Sequence, residues 1–66
     1  MTVDEVVKRV EEIRHCAGDD EVAHSMEDAL HGDVLQAIAD GHCDKPDECA
    51  KAALMTEKIA FERWCA

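Results

Sequence analysis

Positive charge is scarce in this 66-residue chain: seven Lys and Arg stand against sixteen Asp and Glu, a formal net charge of −9. Binding to a phosphate backbone rests on Lys and Arg displacing counterions, so the chain is a poor candidate for direct nucleic-acid binding. It is an equally poor ligand for anionic membranes. Aromatic residues are nearly absent; Phe61 and Trp64 are the only two. No run approaches the roughly 18 apolar residues of a membrane-crossing helix. The opening Met1-Thr2-Val3-Asp4-Glu5 has neither the basic nor the apolar region of a secretory signal. The expected compartment is therefore the cytoplasm, where cysteines are thiols or metal ligands. No CxxC pair, strand alternation, hairpin turn, repeat or catalytic signature is present.

What is there is modest in bulk. Of 31 hydrophobic residues ten are Ala and four are Cys, leaving seventeen larger apolar side chains. A domain near 60 residues buries only about 60% of its unfolded surface. One small domain over 1–66 is expected, with dimerisation or a metal as plausible reinforcement.

The apolar residues recur at helical spacing. Thr2 and Glu5 fit a capping box, and Val3, Val6, Val7, Val10, Ile13 and Ala17 then form one stripe. This predicts a helix over roughly 3–16, stopped by Gly18, with Asp4–Lys8 and Glu5–Arg9 pairs on its outer face. Asp19, Asp20 and Glu21 suit a helix N-terminus. Val22, Ala23, Met26, Ala29, Leu30, Val34, Ala37 and Ile38 keep a common phase across Gly32. One helix over about 20–40, ended by Gly41, is expected; the rival is two short helices broken at 31–33. Pro46 opens a third helix whose stripe is Cys49, Ala50, Ala53, Leu54, Phe61 and Trp64. Continuous, that helix would put Glu57 inside its own apolar stripe. A break near Met55-Thr56, with Thr56 capping a short fourth helix over about 57–64, is the alternative. The fold class is all-α, a small three-helix bundle whose last helix is whole or split.

The charge is not spread evenly. Residues 19–48 hold ten carboxylates, opposed only by Lys45, whereas the flanks carry six acids and six bases. Such a segment is either a solvated face or an acidic docking surface that steers a basic partner. Its extreme form is a DNA mimic that occupies a nucleic-acid-binding groove. Glu27, Asp28, His31, Asp33 and Leu35, with Trp64 as an apolar anchor, are the candidate interaction residues; Trp64 is otherwise the largest piece of core.

His24, Asp28 and His31 follow i, i+4, i+7 and share a helix face. Two imidazoles with a carboxylate between them suit a divalent metal or a proton relay, and otherwise form a solvated helix edge. No Ser or Cys is presented to the His–Asp pair as a nucleophile. The second metal reading gathers Cys16, Cys43, Cys49 and His42 at one end of the bundle. However, Cys43-x5-Cys49 departs from zinc-site spacing, and small buried hydrophobes or a Cys43–Cys49 disulfide are the competing readings. The chain is expected to need no cofactor, with zinc as the alternative.

The stretch from Asp19 to His31, followed by Val34-Leu35-Gln36-Ala37-Ile38-Ala39-Asp40-Gly41 and the ending Phe61-Glu62-Arg63-Trp64-Cys65-Ala66, resembles a family of short acidic proteins of actinobacteria and their bacteriophages. The resemblance implies a phage or prophage accessory product in the bacterial cytoplasm; by analogy with other small phage proteins, it would bind a host protein. It implies no site residues or chemistry of its own. The leading expectation is a non-enzymatic protein-interaction module, alone or as a homodimer. A small zinc domain and an acidic DNA mimic are the alternatives.

Overall fold

The computed structural model describes residues 1–63 and is an all-α bundle of three helices. They are α1 (Val3–His15), α2 (Asp20–Ala39) and α3 (Pro46–Leu54). A 3-10 turn over Met55–Lys58 continues α3 directly, and residues 59–63 are not helical.

The local signals explain most boundaries. The Thr2 hydroxyl accepts a hydrogen bond from the Glu5 N–H at 3.2 Å, and Asp19 Oδ1 accepts one from the Val22 N–H at 3.2 Å. Each satisfies one of the free donors at a helix start. Helix α2 runs unbroken through Gly32, as the common phase of its apolar residues requires. It ends in a Schellman motif: the His42 N–H donates to Ala37 O, the Gly41 N–H donates to Ile38 O, and Gly41 takes a φ of 72°. Only glycine adopts that backbone conformation without strain. Gly18 behaves differently from expectation. Helix α1 ends at His15, and Gly41 is the glycine with positive φ. The chain leaves α1 through a turn in which the Asp19 N–H donates to Cys16 O.

The core is a single cluster. Val6, Val10 and Ile13 of α1 meet Ala23, Leu30 and Val34 of α2, Cys49 and Ala53 of α3, and Ile59 beyond the 3-10 turn. Val7 and Val22 belong to the sequence stripes yet lie exposed, because each stripe is wider than the face its neighbours cover. Arg9 also departs from its expected local pairing with Glu5. It reaches across to Asp33 of α2 at 2.8 Å, so the ion pair ties two helices together.

The largest correction concerns the end of the chain. The break expected near Met55-Thr56 is present, since α3 ends at Leu54 and a 3-10 turn follows, but no α-helix forms over 57–63 and Thr56 does not cap one. Thr56 is fully buried, and its hydroxyl donates to Ala53 O at 3.1 Å, inside the turn. Arg63 then gathers the carbonyls of Thr56, Ile59 and Phe61. A continuing helix would have used those acceptors for its own N–H groups, so the guanidinium substitutes for helical hydrogen bonding there. Trp64, the expected end of the last helix, and Cys65 beyond it lie outside the described residues.

Leu30 on α2 and Ile13 on α1 are the two largest fully buried side chains among the described residues. Leu30→Ala is expected to destabilise the chain by about 3 kcal/mol in urea unfolding, whereas Leu35→Ala, at 68% exposure, stays within about 0.5 kcal/mol.

Candidate functional site

Helix α2 presents two chemically different faces. The inner one follows a four–three–four spacing: Ala23, Glu27, Leu30 and Val34, all buried. A carboxylate therefore sits on the core stripe, with only 5% of Glu27 exposed. Its partner comes from 36 positions away. Arg63 donates from Nε to Glu27 Oε1 at 2.8 Å and from a terminal nitrogen to Oε2 at 3.0 Å. This is the two-pronged geometry that suits a planar guanidinium and a carboxylate. The Arg63 guanidinium also stacks on the Phe61 ring, 3.8 Å from its centroid.

His31 lies one turn further along α2. Its Nε2 is 3.1 Å from Ala53 O and 3.0 Å from Thr56 Oγ1. A carbonyl oxygen only accepts, so Nε2 carries the hydrogen and holds the end of α3 against α2. Glu27, Arg63, Thr56 and His31 thus form one polar network, and among the described residues no buried side-chain polar atom is left without a partner. Burial by itself would push the Glu27 carboxyl up. Hydrogen bonding and charge from Arg63, with the charge of His31, outweigh burial and hold it below the ordinary Glu value.

The outer face of α2 carries Asp28, Asp33 and Leu35, all exposed. Between α2 and α3 lies an apolar groove of about 260 Å³, lined by His31, Val34, Leu35, Ile38, Ala50, Ala53 and Leu54. Leu35 is 68% and Leu54 54% exposed, so the groove has two protruding leucines at its lips. Asp28 stands two turns before Leu35 on α2, and Asp47 two turns before Leu54 on α3. By helical periodicity each shares the face of its leucine.

The expected site residues therefore divide. Leu35 and Asp28 belong to the groove face. Asp33 is exposed but committed to Arg9. Glu27 is buried in an ion pair and offers nothing to a docking partner, and Trp64 lies outside the described residues. His31 contributes its ring to the groove wall while its Nε2 points inward. The candidate metal set is not assembled: His24 Nε2 lies 3.5 Å from Asp28 Oδ1, and His31 Nε2 is bonded to α3. Among the described residues no three His, Cys, Asp or Glu side chains converge to hold a metal ion. Cys16, Cys43 and Cys49 are free thiols.

The Glu27 position was open to sequence reasoning, since a carboxylate on the Ala23–Leu30–Val34 stripe demands a buried partner. Arg63 gave no such signal, because it lies in a non-helical segment. No family model, curated protein or solved structure matches this chain.

Glu27→Ala leaves a half-buried guanidinium unpaired and is expected to cost on the order of 2 kcal/mol; access of water to Arg63 limits the loss. Glu27→Gln gives the pH dependence. A carboxyl held below its unfolded value contributes stability that is complete above that value and lost as pH falls through the lower, folded one. The urea midpoints of wild type and Glu27→Gln should therefore differ most near neutral pH. They should converge on acidification below the ordinary Glu range.

Proposed function

We propose that this chain is a non-enzymatic interaction module that takes a basic, amphipathic segment of a partner protein into the α2–α3 groove. The observation that supports it is the groove itself: an apolar trough with protruding Leu35 and Leu54, on a chain of net charge −9. Exposed leucines flanking a concave apolar surface are what a partner's apolar anchor buries against. The carboxylates of Asp28 and Asp47, on the same helix faces, would meet Lys or Arg on the partner. They would add encounter rate and orientation more than affinity. The same negative charge opposes a second copy at this face. The setting in this proposal is the bacterial cytoplasm, with a host protein as partner, as the resemblance to actinobacterial and phage proteins implies.

Two substitutions separate this reading from its rivals. Leu35→Asp, on an exposed position, leaves the thermal melt unchanged. It should abolish retention of a partner that the wild-type chain captures from an actinobacterial lysate. Asp28→Asn with Asp47→Asn should slow association several-fold and weaken its salt dependence, leaving dissociation little changed. A partner that ignores Leu35 yet responds to the carboxylates favours a DNA mimic. A zinc-loaded mass under native conditions, lost together with the fold on chelation, favours a metal domain. Dimeric sedimentation abolished by Leu35→Asp favours a homodimer.

A further inference from the structure

Helices α2 and α3 run antiparallel. The connection over residues 40–45 reverses the chain. His31 Nε2, in the middle of α2, lies 3.1 Å from Ala53 O and 3.0 Å from Thr56 Oγ1, at the far end of α3. His31 is therefore level with residues 53–56, and the groove runs from His31 and Leu54 at one end to Ile38 and Ala50 at the other. The same register separates the two groove-face carboxylates. Asp28 lies about one turn before His31, beyond the Leu54 end, and Asp47 about one turn before Ala50, beyond the Ile38 end. At a rise of 1.5 Å per residue they stand about 15 Å apart along the groove, one on each helix.

Neither carboxylate is matched by a Lys or Arg of this chain. Asp28 has the His24 imidazole at 3.5 Å. Among the described residues Asp47 forms no ion pair, and Lys45 is 3.7 Å from Glu48. Lys51, four positions after Asp47, lies further round the outer side of α3 by helical periodicity.

The walls of the groove decide the form of its occupant. Apart from His31, whose Nε2 is turned inward to α3, they are Val, Leu, Ile and Ala side chains. Such walls offer no donor or acceptor to an extended backbone, whose inward N–H and C=O groups would be buried unpaired. A helix pairs its own backbone and presents only side chains.

We propose that the partner of this groove is an amphipathic α-helix with a Lys or Arg at each end of its apolar stripe, about ten positions apart. The proposal rests on the α2–α3 docking reading and specifies its ligand. One basic residue meets Asp28 and the other meets Asp47, while the apolar side chains between them fill the trough between Leu35 and Leu54. The carboxylates lie on different helices and at opposite ends, so the contact is diagonal and fixes the partner's position along the groove. A helix with both basic residues at one end meets only one carboxylate.

The probes are three synthetic helical peptides that share one leucine face. The first has a lysine at each end of that face, about ten positions apart; the second has both lysines at one end; the third has glutamine in their place. The first two carry equal charge, so general attraction to a chain of net charge −9 is the same for both. Binding to the full chain is read by fluorescence anisotropy. The two-ended peptide is expected to bind about threefold tighter than the one-ended peptide, the scale of one exposed ion pair. Asp28→Asn and Asp47→Asn should each remove that preference, and Leu35→Asp should abolish binding of all three peptides. Equal affinities for the two charged peptides, with Leu35 still required, overturn the two-ended partner and leave the docking reading standing. Absence of binding by every peptide, or binding indifferent to Leu35, overturns both.

Discussion

Glu27 lies where an apolar side chain would be expected, on the α2 stripe between Ala23 and Leu30, and the fold closes around the need to satisfy it. A carboxylate taken out of water is costly unless its partner arrives with good geometry and the remaining lone pairs are used. Arg63 supplies both prongs, and its other hydrogen bonds go to the carbonyls of Thr56, Ile59 and Phe61. One interaction therefore stops the last helix, folds residues 59–63 back over the bundle, and seats Ile59 in the core. His31 completes the arrangement from the other side by holding Ala53 and Thr56. Replacing such a pair with hydrophobes often costs little stability. Its value here is that it specifies one path for a segment with no secondary structure of its own.

The acidity of residues 19–48 also changes meaning once the helices are in place. The ten carboxylates are not one surface. Asp19 caps α2, Asp20 accepts from the Glu62 N–H, Glu27 is buried, and Asp33 binds Arg9. Asp40 accepts from Gln36. Part of the charge therefore builds the fold by satisfying helix ends and joining segments. Asp28 and Asp47 remain on the face of the α2–α3 groove, where the proposed docking would use them. Charge counting alone does not separate these groups, because an aspartate in a cap and one beside a groove look alike in composition.

Much of the architecture was legible beforehand. The Thr2 and Asp19 caps, the unbroken phase across Gly32, the Gly41 stop and Pro46 at the start of α3 are local signals, and each acts within about one helical turn. The site was legible only in part. Leu35 was singled out and lies on the groove lip, but Leu54, read only as part of the third helix's apolar stripe, is exposed there too, because α2 and α3 leave that flank uncovered. The His24–Asp28–His31 spacing placed three potential ligands on one helix face, yet His31 was recruited by α3 instead.

The chain's own order of residues determined its helical class, its helix starts, the end of α2, and the concentration of negative charge around it. These depend on hydrogen bonds and periodicities spanning a few residues. Tertiary structure decided which carboxylate is buried, where Arg63 goes, and that residues 59–63 abandon the helix. Those outcomes depend on groups brought together by packing, and side-chain periodicity carries no information about a partner that is distant in the chain or lies in an irregular segment.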